Sequence, residues 1–189
     1  MKNLADYSGE FDPHIKYEDF TKDALIRLLK AATDMYLGMD TSWRTVAKKR
    51  FGIDVAMDMS REVWYDVKRC GCYMESVLPR RAMSITGNDV ASWMKHLQID
   101  PGLACIADIR CEMVDENIGV LTVDHCYALD DMEKLGDPDI QKYNCHELEH
   151  KGLQQGVDYM NPKIKVRPLL LPKLGCEREI ACKWEFKLE

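Results

Sequence analysis

A stretch in the second half of the chain combines residue types that bind metals and activate water. Residues 144–152 read NCHELEHKG, which contains His146-Glu147-x-x-His150 directly after Cys145. On a helix, His146 and His150 lie one turn and only about 40° apart, so two neutral imidazoles can share one metal ion. Glu147 can then hold and deprotonate a metal-bound water as the catalytic general base. The motif therefore predicts a metal-dependent hydrolase.

The same motif occurs in zinc peptidases, whose other requirements this sequence meets poorly. A peptidase needs a third ligand on another element. The nearest downstream glutamates, Glu177 and Glu179, lie in a predicted turn. The motif also arises by chance in roughly one chain in a hundred of such composition. We therefore favour a small-molecule substrate over a peptide.

Four cysteines of the second half offer further ligands for the same ion. Cys145 opens the predicted helix, whose free amides and positive dipole end stabilise a thiolate. Cys126 ends a predicted strand, Cys176 lies in the last turn and Cys182 faces inward on the last strand. Thiolates with imidazoles suit Zn²⁺, while cysteines alone suit an iron–sulfur cluster. The predicted metal ligands are Cys145, His146 and His150, then Cys126 and Cys182; the alternative is that each thiol is a small buried hydrophobe.

The first half of the chain, residues 17–97, is predicted to be helical. From residue 20 to about 50, apolar residues alternate spacings of four and three, as one stripe along a helix requires. We interpret this stripe as core-facing; a coiled-coil dimer seam is the alternative, and a break at Gly38 or at 40–42 would give two helices. The stripe comprises Leu25, Leu29, Ala32, Tyr36, Met39, Trp43 and Val46.

Two more helices are predicted before the pattern changes. One begins at Ser60 and ends at Pro79, with the Cys70-Gly71-Cys72 sequence inside it in a structural role. The next begins with Asn88 as its N-cap and carries His96 on its surface. Neither pattern predicts a catalytic group, so these helices are expected to support the site rather than form it.

The second half, residues 103–188, alternates polar and apolar residues as strands do. Strands are predicted at 103–113, 118–126, 163–171 and 180–188, with the site helix at 144–160 between the two pairs. On the second strand, Asp124 shares a face with Cys126, and we favour Cys126 over His125 as the residue that faces the site. The order β-β-α-β-β predicts a mainly antiparallel sheet and an α+β fold.

Composition limits the class of protein. With 189 residues, 46% hydrophobic and 31% charged, the chain fits one domain, 1–189. The net charge of −6 argues against a nucleic-acid partner, and no apolar run reaches the roughly 18 residues of a membrane helix. Because no signal peptide is recognisable, we expect a cytoplasmic protein with reduced cysteines.

Several segments together resemble a known family. They are Trp43 with FGIDVAMDMSREVW (51–64), DHC (124–126), the helix-opening Cys145, NPKIKV (161–166) and the closing CKWEF (182–186). From Leu25 to Leu188 the chain resembles an uncharacterised anaerobe-associated family, similar to L-2-amino-thiazoline-4-carboxylic acid hydrolase-like proteins and, more distantly, to the 4-vinyl reductase small-molecule-binding domain.

The resemblance implies a small-molecule site between the C-terminal helix and the sheet. It also implies functional cysteines at Cys126, Cys145 and Cys182, whereas the histidine pair departs from the family's pattern. The leading hypothesis is a metal-binding protein that hydrolyses a small molecule with a metal-bound water. The alternative is a non-catalytic module that senses a small molecule, a metal or an iron–sulfur cluster, with the helical half as a homodimer surface.

Overall fold

The computed structural model of the chain describes residues 2–135, 141–173 and 178–189. The chain divides into two compact units, Met1–Trp43 and Arg44–Glu189, with the boundary inside the first long helix. In the first unit, a short 3₁₀ turn at Tyr17–Asp19 leads into that helix, and Leu4 bridges to Phe20. The prediction of a single domain is not tested by this division and stays a prediction.

Helix α1, Lys22–Phe51, runs without interruption through Gly38, so the alternative of two helices is wrong. Its apolar stripe does not face a core: Leu29 is 56% exposed, Met39 68% and Val46 50%. The core-facing interpretation of the stripe is therefore wrong for the isolated chain. Periodicity identifies an amphipathic helix correctly, but it does not say what covers the apolar side.

The next helices differ from the predicted boundaries. Helix α2, Ile53–Arg61, continues into a wider π-helical turn, Glu62–Asp66, and ends before Cys70. Helix α3, Gly71–Ala82, starts after Cys70 and contains Pro79, so the single helix predicted from Ser60 to Pro79 is wrong. Cys70 thus precedes a helix instead of lying inside one, which the composition of the segment alone does not reveal.

Helices α4, Val90–Ile99, and α5, Pro101–Ile106, are both capped by aspartates. The Asp89 side chain accepts a hydrogen bond from the Ser92 amide, so Asp89 and not Asn88 is the N-cap of α4. Asp100 accepts from the Leu103 amide, 3.1 Å away, and Pro101 occupies the first turn of α5. A capping aspartate followed by proline starts a helix, which is why the strand predicted from residue 103 begins only at 107.

The second half is an antiparallel four-stranded sheet with the order β1-β2-β4-β3, so the α+β prediction is confirmed. The turn between the first two strands falls at residues 116–117, as predicted. After β2, the described residues include helix α6, Tyr127–Leu135, and helix α7, Glu149–Asp158, which a π-helical turn at Tyr143–Leu148 precedes. The strands are β1, Ala107–Asp115; β2, Ile118–Cys126; β3, Ile164–Leu170; and β4, Cys182–Leu188.

One face of the sheet packs against α4, α6 and α7 and forms the hydrophobic core. Trp93 of α4, Val157 of α7 and Leu129 of α6 meet Trp184 and Phe186 of β4, and all five are at most 2% exposed. Burying a large apolar side chain contributes about 1.5–3 kcal/mol, so this face holds the helices on the sheet. Among the described helices, none is long and apolar enough to cross a membrane.

Candidate functional site

The two histidines of the predicted metal motif both face the sheet, and both bind to its edge. His146 Nε2 lies 3.1 Å from the carbonyl oxygen of Pro172, and His150 Nε2 lies 3.0 Å from that of Val166. Because a carbonyl oxygen only accepts, each Nε2 carries the proton and donates. Nδ1 is then the unprotonated nitrogen of each ring, whose lone pair is available to bind a metal ion.

These contacts have a structural consequence, because β3 is an edge strand of the sheet. The Val166 amide donates to Gln154 Oε1 at 2.9 Å, and Gln154 Nε2 donates to the Ile164 carbonyl at 3.0 Å. His150 satisfies the Val166 carbonyl from the same side of the helix. An edge strand with unpaired backbone groups invites aggregation. The side of α7 that carries His150 therefore protects the edge of β3.

Glu147, the predicted general base, lies in the π-helical turn and is exposed. No contact of its carboxylate brings it to the histidines or to a thiol in the described structure. Its assignment as the catalytic residue stays a prediction. Two positions further along the chain, at the first residue of α7, lies a second exposed carboxylate, Glu149.

Three of the predicted ligand thiols converge at one end of the sheet. Cys126 at the end of β2, Cys145 before α7 and Cys182 at the start of β4 all pack against the same core. Burial raises the pKa of Cys145 to about 12, with a further contribution from the charge of Cys126. Burial likewise raises the pKa of Cys182 to about 12, although Trp184 Nε1 donates to its sulfur at 3.2 Å. These thiols are protonated at neutral pH.

Cys126 reaches this cluster because β2 carries a bulge. Ile109 pairs with Val123 and Asp108 pairs with His125, so Asp124 is one extra residue on β2. Such a bulge shifts the alternation of side chains by one. Cys126 therefore packs inward, while Asp124 turns to the outer face. The prediction that Asp124 shares the face of Cys126 is wrong for this reason.

Asp124 and His125 both have partners on the outer face. Asp124 accepts two hydrogen bonds from Arg110, at 2.7 and 2.8 Å. His125 Nε2 lies 2.8 Å from Asp130 Oδ2, and its ring packs on Tyr127. Inside, the amides of Leu129 and Ala128 favour the Cys126 thiolate, but burial is the larger effect and its pKa is raised.

Glu149, the first residue of α7, is the carboxylate that the thiols surround. The pKa of Cys126, Cys145 and Cys182 is in each case raised further by the charge of Glu149. The pKa of Glu149 is itself raised, first by desolvation and then by Asp100. Yet the side chain of Glu149 keeps substantial solvent-accessible surface. The ionised form of this carboxyl is thus disfavoured although the side chain is within reach of solvent.

We call Cys126, Cys145, Cys182 and Glu149 the thiol–carboxyl cluster. Within residues 2–135, 141–173 and 178–189, the Glu149 carboxyl has no hydrogen-bond or ion-pair partner. Ordinary structural carboxylates are paired or hydrogen-bonded when they are desolvated. An accessible carboxyl without such a partner and with a shifted pKa is a candidate for a group that meets a ligand.

Behind Glu149 lies a buried pair, His96 and Asp100. His96 is 2% exposed, so its prediction as a surface residue is wrong; its ring packs on Trp93, and its Nε2 lies 3.5 Å from Asp100 Oδ2. Burial lowers the pKa of His96 to about 4, and the charge of Arg80 lowers it further. Burial raises the pKa of Asp100, the neighbour of Glu149.

A cleft of about 560 Å³ opens beside the cluster, at the end of β2. Cys126 belongs to both the cleft and the cluster. Arg178 on the cleft wall is bound to Glu133 by two hydrogen bonds, at 2.8 and 2.9 Å. Its charge lowers the pKa of Cys145, although burial dominates. The other lining residues are Asp124, His125, Leu129, Asp130, Glu179 and Ala181.

The predicted metal ligands are not gathered around one point in the described part of the chain. Among the residues that the structure describes, no three histidine, cysteine, aspartate or glutamate side chains are grouped closely enough to hold one ion. Cys176, another thiol of the sequence-based hypothesis, and Glu177 lie outside the described residues. Zn²⁺ and an iron–sulfur cluster therefore stay predictions.

Sequence reasoning named the three thiols, and among the nearby glutamates it selected Glu147. On a regular helical wheel Glu147 and Glu149 each fall about 80° from the mean direction of His146 and His150, on opposite sides. The wheel therefore does not distinguish the two glutamates, and the His-Glu-x-x-His pattern alone selected Glu147. Comparison of the chain with protein-family models, curated proteins and solved structures finds no match.

Proposed function

We propose that this protein binds a small molecule at the thiol–carboxyl cluster and hydrolyses it, with Glu149 moving the proton. The observation that supports this most is the carboxyl of Glu149, which is accessible, desolvated and without a partner among the described residues. A carboxylate with a raised pKa is a stronger base than an ordinary one, and tuning toward neutral pH is what acid–base catalysis needs.

In this reaction Glu149 acts first as a base and then as an acid. Its carboxylate takes a proton from water while the water oxygen bonds to an electrophilic carbon of the substrate. The proton is then given to the nitrogen or sulfur whose bond to that carbon breaks, so one water is consumed and Glu149 is regenerated. The thiols of Cys145 and Cys182, protonated at neutral pH, do not act as nucleophiles in this scheme.

Arg178 supports an acidic small molecule as the ligand. Its guanidinium lies on the cleft wall beside Cys126, and guanidinium groups bind carboxylates through two parallel hydrogen bonds. In the described structure Glu133 fills that position. A substrate carboxylate would compete with Glu133 there. The sequence resemblance to thiazoline-carboxylate hydrolase-like proteins proposes the same class of molecule.

The experiment measures hydrolysis of L-2-amino-thiazoline-4-carboxylic acid and of simple amides and thioesters that carry a carboxylate. Mass spectrometry detects opening of the ring as a gain of one water, and cleavage of an amide or thioester as two fragments whose masses add up to substrate plus one water. Glu149→Gln keeps the size of the side chain and should lower kcat/KM by about 10²–10⁴-fold. Glu147→Gln, two residues away and exposed, is the matched control and should keep wild-type activity. Loss of activity in Glu147→Gln with Glu149→Gln unaffected would contradict the proposal and favour the original motif.

A second candidate is a metal- or cluster-binding module, which one observation favours. The charge of Glu149 raises the pKa of all three thiols, and that of Cys126 raises the pKa of Cys145 and Cys182, so one soft cation would stabilise the thiolates together. Metal analysis and an absorption spectrum of protein purified without oxygen test it. Metal lost in Cys145→Ser but kept in His150→Ala assigns the thiols, and the absence of zinc and iron contradicts this candidate.

A further inference from the structure

The sheet has two edge strands, β1 and β3, and they differ in what binds their outward backbone groups. Gln154 and His150 bind those of β3. In the ranges that the structure describes, residues 109–113 of β1 form backbone hydrogen bonds only with β2. A cleft of about 530 Å³, lined by Gln98 and residues 109–112, borders this stretch. Residues 109–113 are therefore an open edge, which is a template for pairing with another strand.

Alternate residues of this open edge direct their backbone N–H and C=O groups away from β2. The Val123 carbonyl accepts from the Ala181 amide at 2.8 Å, so Val123 faces the β4 side of β2. Its neighbour Thr122 therefore faces β1, where it pairs with Arg110. The residues whose backbone groups face the open edge are Ile109, Cys111 and Met113.

The side chains of the open edge are complementary to those of a second, antiparallel copy. Arg110 and Glu112 are both exposed and lie one residue on either side of Cys111. A second copy centred on Cys111 places Arg110 opposite the partner's Glu112, and Glu112 opposite the partner's Arg110. Ile109 then lies opposite the partner's Met113. Opposite charges and apolar side chains that lie directly across from each other stabilise a strand pair.

The backbone and the charges together select this register over its neighbours. Because only alternate residues face the open edge, the partner strand moves by two positions between one allowed register and the next. A move in one direction places Arg110 opposite the partner's Arg110, and a move in the other places Glu112 opposite the partner's Glu112. Like charges directly opposite each other destabilise a strand pair. Of these three registers, the one centred on Cys111 alone avoids them.

Glu112 is a charge of the open edge that a second copy would satisfy. Within the described ranges its carboxylate is exposed and has no hydrogen-bond or ion-pair partner. Arg110 binds Asp124 through Nε and Nη2, which leaves Nη1 for a second carboxylate. The partner's Glu112 reaches the open edge at this position.

We propose that the open edge of β1 pairs with the open edge of a second copy of this chain, antiparallel and centred on Cys111, to form a homodimer. Facing residues exchange both backbone N–H···O bonds, and the two sheets become one continuous sheet. The same patch serves both copies, as a two-fold axis requires. The interface uses no residue of the thiol–carboxyl cluster, so it does not depend on the proposed hydrolysis.

Sedimentation equilibrium of the full chain tests the assembly. It should give twice the mass of 21.8 kDa, and a dilution series gives the dissociation constant of the dimer. A mass of one chain at the highest soluble concentration would overturn the proposal.

A charge reversal identifies the strand. Glu112→Lys sets a lysine against the partner's Arg110 on both sides of the axis, so the dissociation constant should rise about tenfold at low salt and less at high salt. Glu62→Lys is the matched control, because Glu62 is also exposed but lies in the π-helical turn after α2. It should leave the dissociation constant unchanged. Circular dichroism verifies that both variants fold. Equal dissociation constants for the wild type and Glu112→Lys would overturn the assignment to β1.

A cross-link tests the register. Cys111 lies opposite the partner's Cys111, with Cα atoms about 5.5 Å apart. Burial raises the pKa of Cys111 to about 11, so dibromobimane, a short cross-linker of two thiols, is applied at alkaline pH. Mass spectrometry should find two copies of the same peptide joined through Cys111, and Cys111→Ser should lose this product. A protein that sediments as a dimer but is cross-linked only through other cysteines would overturn the register.

Discussion

The outer face of the sheet favours the charged forms of its ionisable groups, whereas the inner face favours the neutral forms. On the outer face, charged side chains are paired: Arg110 with Asp124, and Arg167 with Glu185. These contacts lower the pKa of both carboxylates. The groups stay ionised and hydrated, as a solvated sheet face requires. The outer face therefore needs no ligand to explain its charges.

On the inner face, burial outweighs the hydrogen bonds that the ionisable groups receive. It raises the pKa of Cys145, Cys182, Glu149 and Asp100, and it lowers that of His96. Each shift favours the neutral form of its group. The Glu149 carboxyl, which has no hydrogen-bond or ion-pair partner among the described residues, differs most from the paired carboxylates of the outer face. This difference is the main argument for a site at the thiol–carboxyl cluster.

The largest expected effect concerns the reactivity of the cluster thiols. A pKa of about 12 instead of 9.0 leaves Cys145 and Cys182 with about 10³-fold fewer thiolates at pH 8. Their alkylation by iodoacetamide in the folded protein should be slower than in urea by about that factor. Peptide mass spectrometry measures each rate separately.

Treatment with a chelator separates protonation from metal binding as the source of this protection. Protonated thiols stay slow after the chelator, whereas metal-bound thiols become fast. If iodoacetamide alkylates Cys145 equally fast in the folded and the unfolded protein, the thiol is not protected by burial. The inner face of the sheet would then not differ from the outer face in the way described.

The next effect is the acid sensitivity that His96 produces. Its pKa falls from 6.5 in the unfolded chain to about 4 in the fold, so between these values the unfolded chain binds more protons. Stability is then full above pH 6.5 and is lost as the pH falls toward 4, by about 3 kcal/mol. In urea unfolding, His96→Phe should not show this loss of stability at acidic pH. His125→Gln, on the exposed face, should keep it.

A smaller effect of opposite sign is expected for Glu149. Its folded pKa is raised, so between the ordinary value and the raised value the folded chain binds more protons. Stability therefore falls as the pH rises through this interval. Glu149→Gln removes the penalty and should be more stable than the wild type at pH 8 and equal to it at pH 3. A less stable variant at pH 8 would contradict a desolvated carboxylate.

The smallest effect is expected on the outer face. Arg110→Ala removes the partner of Asp124 at a site where both side chains are more than one-third exposed. The midpoint of thermal unfolding should change by about 2 °C or less, and less still at high salt. A large loss of stability would show that the outer pair, too, holds the fold together.

The sheet could be predicted from the sequence because the patterns that indicate strands and turns are local. Alternation predicts all four strands, and Asp115-Glu116-Asn117 predicts the first hairpin turn. The inward side of β4, with Trp184 and Phe186 in the core, follows from these signals. Cys126 and Cys182 were named for the same reason, since each lies at the end of a strand, whereas the helix start predicted at Cys145 lies inside the π-helical turn.

The remaining features depend on contacts that sequence periodicity does not contain. The bulge at Asp124 and the π-helical turn before α7 each shift the direction of side chains by one residue. Which side of α1 is buried depends on tertiary contacts, which the spacing of its apolar residues does not reveal. The choice of Glu149 over Glu147 requires knowing which side of the helix is desolvated.

The bulge on β2 has a meaning at the level of the gene. It is one residue long, so deletion of a single codon at Asp124 removes it and keeps the reading frame. Such a deletion would restore regular alternation and leave Cys126 two positions after the inward-facing Val123, so the thiol would stay on the inner face. The same deletion would remove the carboxylate that binds Arg110 on the outer face. In related genes, a strand shorter by this one residue is therefore compatible with an inward cysteine.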